Sequence, residues 1–369
     1  MGLTSRERMA RTLERQPVDQ VPVAVSPWGT TVARWRAEGH LGEHEDPAYH
    51  FGQDLRSAGW LNTVADLDFT PEVLEETAET QLVRDGNGAV LRRHRLHEAT
   101  PEHVDFAVQD RASWEALVKP LLLGTDRRRI PFEGYRHTKA WCEENEIYFT
   151  WSGVAPFELI HPICGHEYML LGMADDPDWV RDMAETLSDL TIRCWDLLFT
   201  EEGLPQAVFF YEDMGFKGRP FMSPRMYEEI LQPSHARLFD YAHERGLKVI
   251  VHSCGYVEPL VPGLIDAGLD CLQAMEVKAG MDLDTLFARF GDRIAFYGGL
   301  DVRTLIANDR AAIETELGKM VRVLEGGGGY VLHTDHSEPP EVNYETMRFF
   351  VDRGRELSAE TFARLAAAG

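Results

Sequence analysis

The segment "GLKVIVHSCGYVEPLVPGLIDAGLDCLQAME" (246–276) contains a strand, a connection and a second strand. Its apolar runs at 248–254 and 269–275 are short, rich in β-branched residues and bounded by turn residues, which is typical of buried strands. A helical pattern separates the two runs, and Gly268 lies where the C-cap of a helix is expected. The segment therefore predicts two parallel strands joined by a helix.

The same unit recurs along the chain. Further strands are predicted at 21–29, 60–68, 146–153, 207–213, 293–299 and 329–335. Eight nearly continuous apolar strands alternating with helices predict a single α/β domain over residues 1–369, a (β/α)8 TIM barrel. The gap between the second and third strands, about residues 69–145, is predicted to be an insertion of β-hairpin and helical structure. Its hairpin is expected at 79–96, around a Gly-Asn-Gly turn.

The composition excludes several classes of protein. A formal net charge of −24 over 369 residues would repel a phosphate backbone, so nucleic acid is not an expected partner. No apolar run approaches the roughly 18 to 20 residues of a membrane span. Residues 1–20 lack the apolar core of a secretory signal, so a cytoplasmic protein is expected. The odd, scattered set of five cysteines is expected to be thiols: Cys142, Cys164, Cys194, Cys254 and Cys271.

Chemically active side chains gather at the carboxyl ends of the eight predicted strands. They include Ser26, Trp28, Asp66, Asp68, Trp151, Glu212, Asp213, His252, Cys254, Gln273, Glu276, Asp301, His333, Asp335 and His336. In parallel barrels the active site lies at this end of the strands. A barrel selected only for stability has no need for acids, imidazoles and a thiol on one rim, so we predict an active site there.

A metal site is predicted within that rim. Side chains alternate along a strand, so His252 and Cys254 point to one face, as do His333 and Asp335. Imidazole nitrogen and thiolate sulfur suit zinc, which catalytic sites hold with three protein ligands and one open position. The predicted ligands are His252, Cys254 and His333, with Glu212 as an exchangeable fourth. The alternative is a buried cysteine beside a histidine that only bonds a neighbouring carbonyl.

Further roles are predicted for other residues of the rim. The candidates for catalysis are Glu212, Asp213 and His336, and the candidates for contact with a cofactor or substrate are Trp28, Trp151, Gln273 and Asp301. Four of them have a simpler alternative: His336 could cap a loop, Asp301 could be the N-cap of a following helix, and Trp28 and Trp151 could belong to the core. The sequence leaves these alternatives open.

Four segments resemble the uroporphyrinogen decarboxylase superfamily. They are "TSRERMARTLERQPVDQVPV" (4–23), "EDMGFKGRPFMSPRMYEEILQP" (212–233), the segment 246–276 and "FYGGLDV" (296–302). The resemblance runs through most of the chain and implies the same barrel. True decarboxylases of the superfamily hold a polycarboxylate with an arginine-rich segment after the first strand. Residues 26–40 lack the R-x-A-G-R run of that segment, and so acidic a chain suits a polyanion poorly.

The resemblance points instead to the corrinoid-dependent methyltransferases, in which H-x-C after the fifth strand and a residue after the last strand bind zinc. His252 and Cys254 match, and His333 would replace the usual cysteine. The implied reaction exchanges a methyl group between a small methylated compound, favoured as a methoxylated aromatic, and a corrinoid carried by a partner protein, with zinc as Lewis acid. Homodimers are common in the superfamily and one is expected here. The alternatives are a metal-free decarboxylase or lyase and a binding protein without catalysis.

Overall fold

A computed structural model describes residues 2–96 and 101–368. The strands in chain order are β1 (Leu55–Ala58), β2 (Glu72–Glu76), β3 (Thr80–Arg84), β4 (Ala89–His94), β5 (Glu102–Phe106), β6 (Tyr148–Val154), β7 (Ala207–Tyr211), β8 (Gly215–Phe216), β9 (Arg219–Pro220), β10 (Lys248–Ser253), β11 (Cys271–Ala274), β12 (Ala295–Gly298) and β13 (Tyr330–Val331). Most are short, as expected for strands of a barrel.

The α-helices in chain order are α1 (Ser5–Leu13), α2 (Gly29–Ala37), α3 (Pro47–His50), α4 (Arg111–Ser113), α5 (Lys119–Leu122), α6 (Phe132–Glu144), α7 (Pro156–Asp175), α8 (Pro177–Glu202), α9 (Pro224–Ile230), α10 (Gln232–His243), α11 (Val261–Asp266), α12 (Leu283–Phe290), α13 (Val302–Ile306), α14 (Arg310–Glu325) and α15 (Tyr344–Ala368). Helices follow most strands of the parallel sheet, as the alternating pattern predicts. None of the described helices combines the length and apolar character needed to cross a membrane.

The barrel is a parallel sheet in the order β1-β6-β7-β10-β11-β12-β13, closed by an eighth segment. Val23 pairs in parallel with Leu332, which follows β13. On its other side, the carbonyl of Val23 accepts a hydrogen bond of 2.9 Å from the N–H of Asp54, immediately before β1. Residues 22–24 therefore occupy the first strand position, and the predicted (β/α)8 fold is confirmed.

Alternation along each strand divides the apolar core into two parts. Ala207 and Phe209 of β7 belong to a cluster inside the barrel, whereas Val208 and Phe210 pack in the layer between strands and helices. Successive side chains of a strand point to opposite faces, so every barrel strand feeds both clusters. This parity continues past the strand ends and decides which side chains reach the mouth of the barrel.

The insertion after β1 is larger than the predicted hairpin. Strands β2 to β5 form a four-stranded antiparallel sheet, and the predicted Gly-Asn-Gly turn joins β3 to β4. A small apolar cluster of Ala89, Leu91 and Phe106 packs against Tyr168 of α7. Close approach of Phe106 requires a glycine in α7, because a Cβ on Gly165 would lie 2.4 Å from the Phe106 ring.

Two strand predictions near the N-terminus are wrong in extent. The second barrel strand is Leu55–Ala58, and the predicted strand 60–68 is an irregular loop. The backbone of that loop pairs with the insertion, since Asp66 donates its N–H to the carbonyl of Gly86 at 3.0 Å. The first predicted strand, 21–29, contributes a short pairing, and α2 already begins at Gly29. Burial on both faces hides the two-residue alternation that distinguishes strands from apolar loops.

Candidate active site

A cavity of about 380 Å³ lies at the carboxyl ends of the barrel strands. Its polar lining comes from the loop after the first strand position, from β1, β7, β10, β11 and β12, and from the loops after β10 and β13. The chemically active residues of the lining are Ser26, Ser57, Tyr211, His252, Cys254, Gln273, Tyr297, His333, Asp335 and His336. The volume suits a small molecule, and its position is the one predicted for the active site.

Asp213, His252 and Cys254 form a compact group at this cavity. The Nε2 atom of His252 lies 3.1 Å from the Sγ atom of Cys254 and 3.3 Å from Oδ1 of Asp213. The ligand atoms of all three residues lie within 4.8 Å of one another. The N–H of Cys254 donates to the Asp213 carboxylate at 2.8 Å, which fixes the orientation of that carboxylate. One nitrogen, one sulfur and one oxygen atom therefore lie close enough together to bind the same ion.

Gln273 orients the imidazole of this group. Its side-chain oxygen Oε1 is within hydrogen-bonding distance of Nδ1 of His252. A carbonyl oxygen can only accept, so Nδ1 carries the proton and donates it, and Nε2 is directed toward Cys254 and Asp213. Partners of this kind are typical of metal-binding histidines, since they fix the tautomer and the ring orientation.

The electrostatics of the group favour a cation between the three side chains. Burial disfavours the charged imidazole of His252, but hydrogen bonds to Asp213 and Cys254 outweigh burial and raise its pKa to about 10. Burial likewise opposes ionisation of Asp213, yet its hydrogen bond with His252 holds the pKa of the carboxyl below its ordinary value. The donor set of imidazole, thiol and carboxylate fits zinc.

The structure does not bring Glu212 into this group, so its predicted roles as ligand and catalyst require correction. Glu212 is fully buried outside the barrel interior. Its carboxylate accepts hydrogen bonds from the N–H groups of Phe157 and Glu158 at 2.8 and 3.1 Å and lies 2.7 Å from Nε2 of His235. Burial raises the pKa of Glu212 despite these partners. It caps the N-terminus of α7.

The predicted ligand His333 lies in the cavity wall but not in the group of three. Its Nε2 atom is 2.7 Å from the hydroxyl oxygen of Ser26, and its Nδ1 atom is 2.5 Å from the carbonyl oxygen of Thr334. Both ring nitrogens are thus occupied. Only 3% of the residue is exposed, and burial lowers the pKa of His333 to about 4. The nitrogen ligand of the compact group lies in β10 and the oxygen and sulfur ligands follow β7 and β10, whereas the neutral His333 belongs to the cavity wall after β13.

The remaining candidates divide between the cavity and other parts of the fold. Gln273 and the half-buried His336 line the cavity. Trp28 is 47% exposed at the start of α2 and does not line it. Trp151 points outward from β6 into the core between strands and helices. Asp301 accepts from the N–H of Arg303 at 2.9 Å as the N-cap of α13. For Trp151 and Asp301 the simpler alternative describes the structure, whereas Trp28 lies neither in the core nor in the cavity wall.

Two residues that the sequence did not single out contribute to this region. Trp60 stacks on Tyr211, a residue of the cavity wall, with ring centroids 5.1 Å apart. The Tyr211 ring lies in turn 5.1 Å from the ring of His252. The role of Trp60 could not be predicted from the sequence, because the apolar pattern of its loop resembles that of a strand. The positions of Tyr211 and Asp213 could have been predicted from the alternation of side chains along β7. Phe209 points into the barrel, so the side chains at 211 and 213 point to the same inner face.

Glu338 is the second of these residues. It is fully buried and accepts from the N–H of Ser26 at 3.0 Å. Its other carboxyl oxygen lies 2.9 Å from the hydroxyl oxygen of Thr334. Burial raises the pKa of Glu338 to about 7. This carboxyl therefore connects the loops that follow the first and last strand positions of the barrel.

Comparison with known proteins identifies relatives of the chain. A sequence profile of the family described as "Uroporphyrinogen decarboxylase (URO-D)" matches residues 108–357, more than half of the chain. A uroporphyrinogen decarboxylase of Hydrogenovibrio crunogenus is 27% identical over 191 residues, 50% of this chain and 51% of that protein. One from Pseudomonas fluorescens is 33% identical over 97 residues, 26% of each chain. The chain thus matches between 26% and 51% of the length of these two curated relatives.

A solved structure shares the fold over nearly its whole length. A methyltransferase from Methanosarcina mazei superposes with a TM-score of 0.66 at 17% sequence identity. The superposition covers 96% of this chain and 99% of that chain.

Proposed function

The chain belongs to the uroporphyrinogen decarboxylase family, and we propose that it moves a methyl group between a small methylated compound and a corrinoid carried by a partner protein. The observation that carries the proposal is the convergence of Asp213, His252 and Cys254 at the cavity, with ligand atoms within 4.8 Å of one another. A nitrogen, sulfur and oxygen donor set is suited to zinc and leaves one position open toward the cavity. The name of the M. mazei neighbour agrees with methyl transfer.

The lining of the cavity supports an uncharged aromatic substrate. Its walls include the rings of Phe209, Tyr211 and Tyr297, and no lysine or arginine is among the described residues that line it. A polycarboxylate would lack a cationic partner there, whereas an aryl ring finds apolar and aromatic surfaces. We therefore favour a methoxylated aromatic compound over a porphyrinogen-like polyanion.

Each residue of the site has a defined task in this reaction. Zinc, when bound, supplies Lewis acidity to the heteroatom that bears or receives the methyl group. Gln273 holds His252 in the tautomer that presents Nε2 to the metal, and the Cys254 N–H holds the Asp213 carboxylate in place. For an aryl ether, zinc held by Asp213, His252 and Cys254 would stabilise the electron pair left on oxygen when the O–CH3 bond breaks, and the reduced corrinoid of the partner protein would be the acceptor that supplies the electron pair for the new bond to the methyl carbon. His336, at the cavity wall, would donate the proton that the released phenolate takes up.

A metal-free decarboxylase or lyase is the second candidate, and the curated relatives favour it by name. Asp335 would then be the candidate acid catalyst, because it lines the cavity and burial raises its pKa. The two candidates differ in their need for Cys254: the first requires a thiolate ligand, and the second does not.

The test is zinc content and methyl transfer in Cys254→Ser and His252→Ala, with Cys142→Ser as the control that removes a buried thiol elsewhere. We expect one zinc fewer per chain in both site variants, loss of methyl transfer from a methoxylated aromatic to a corrinoid protein, and no loss of zinc in the control. Unchanged zinc content and full methyl transfer in Cys254→Ser would overturn the proposal. Undiminished release of carbon dioxide from an aromatic acid by that variant would support the second candidate.

A further inference from the structure

A second group of potential metal ligands lies outside the cavity, where the inserted sheet meets α7. It consists of His103 on β5 and of His161 and His166 on α7, and their ligand nitrogens lie within 4.8 Å of one another. None of the three lines the cavity described above. The group is therefore separate from the site of the proposed function.

The kink in α7 brings its two histidines together. Residues five apart in a regular helix point about 140° away from each other. Gly165 interrupts the helix with a φ of 71°, a conformation that side chains other than glycine rarely adopt. The rings of His161 and His166 consequently stack, with centroids 4.5 Å apart. The ring of His103 lies 5.9 Å from that of His161.

His161 has the partner that metal-binding histidines usually have. Its Nε2 atom lies 2.8 Å from the carboxylate of Glu158, which can only accept while ionised, so Nε2 carries the proton. Its Nδ1 atom is buried and has no hydrogen-bond partner. An unprotonated, buried nitrogen without a partner is costly unless something binds it. A carboxylate on the far nitrogen of an imidazole is the usual way to orient a metal ligand.

The other two imidazoles differ in exposure: His103 is exposed at the edge of the group, whereas His166 is half-buried. The ring of His166 is further enclosed by Phe157 and Phe221, at 5.9 and 5.5 Å between centroids.

We propose that His103, His161 and His166 form a second site for a divalent transition metal of the zinc type, which ties the inserted sheet to α7. Three imidazoles with an open fourth position are an established zinc donor set. Bonds of about 2.0–2.1 Å would draw the nitrogens to about 3.4 Å from one another. The nitrogens already lie within 4.8 Å of one another, and rotation of the stacked His161 and His166 rings about their side-chain bonds would turn their lone pairs toward one ion. This inference does not depend on the proposed function.

The test uses the full chain with the first site removed, as the double variant His252→Ala/Cys254→Ser. In this parent, after metal depletion, we expect zinc to bind at one equivalent per chain and to raise Tm. Cobalt in its place should give visible bands without the near-ultraviolet band of a cobalt–thiolate bond. Adding His103→Ala should abolish the binding and the rise in Tm, whereas His137→Ala, which removes an exposed histidine of α6, should change neither.

Glu158→Leu provides the second arm, because it removes the acceptor that orients His161. We expect its zinc affinity to fall by about 10- to 100-fold relative to the parent. Equal zinc stoichiometry and affinity in the parent and in its His103→Ala derivative would overturn the proposal. Failure of the first site would look different, since it would leave zinc content unaltered when His252 and Cys254 are replaced.

Discussion

Glu212 and Asp213 are adjacent in the chain, yet their carboxylates lie on opposite sides of the barrel wall. Glu212 is buried beneath α7 and accepts from the N–H groups of Phe157 and Glu158. Asp213 faces the cavity, 3.3 Å from Nε2 of His252. The alternation of β7 separates the two residues, so one stabilises the fold while the other belongs to the site.

Substitution of these two acids should therefore change different properties of the protein, zinc affinity for Asp213 and the free energy of unfolding for Glu212. Asp213→Asn should lower zinc affinity by at least about tenfold, since even the loss of an outer partner of a ligand has such an effect, and should leave the free energy of unfolding nearly unchanged. Glu212→Gln should keep the zinc and lower the free energy of unfolding by roughly 2–3 kcal/mol, because charge-assisted hydrogen bonds are lost in the core. Urea unfolding and elemental analysis measure both quantities. Equal effects of the two variants would contradict this assignment.

Gln273 should act through His252 and not through the substrate. Gln273→Leu removes the acceptor for Nδ1, so we expect zinc affinity to fall by about 10- to 100-fold. Gln273→Glu keeps an acceptor and should retain affinity close to the wild type. Competition with a chelator measures the affinity. If Gln273→Leu raised only the KM for the substrate, its role would be substrate contact.

Glu338 should make stability depend on pH in a definite direction. Its pKa is about 7 in the folded protein against an ordinary value of 4.5, so the folded state holds the proton more tightly. The stabilisation is complete below pH 4.5 and is lost as pH rises through 7, by roughly 3 kcal/mol. Denaturant unfolding across this pH window measures the loss.

Burial favours the protonated form of Glu338, and the neighbouring groups can accommodate its proton. Thr334 has one hydroxyl proton, and its oxygen lies 2.5 Å from the carbonyl oxygen of His336. A proton on Glu338 can then be donated to Thr334, while the N–H of Ser26 donates to the other carboxyl oxygen. Glu338→Gln reproduces this pattern without titrating, so it should flatten the pH dependence and exceed the wild type in stability above pH 7. An unchanged pH slope in the variant would exclude the assignment.

Trp60 should contribute to binding of an aromatic substrate through Tyr211. The stacked pair of rings holds Tyr211 against the cavity, and such pairs contribute about 0.5–1.5 kcal/mol. Trp60→Ala should therefore raise the KM for a methoxylated aromatic by about 2- to 12-fold with little change in kcat. Trp60→Phe should restore most of the loss. An effect on kcat alone would place Trp60 in the chemistry instead.

The sequence by itself predicted the barrel and the carboxyl-end location of the site, because apolar strands alternate with helices along the chain. It also predicted that His252 and Cys254 share a face, because side chains alternate along a single strand. Parity along β7 would also have selected Asp213 over Glu212. Tertiary structure alone decided which groups meet across the chain: Ser26 with His333 and Glu338, and His103 with His161. Such contacts depend on where the barrel closes and on how the insertion packs against α7, and no local pattern encodes either.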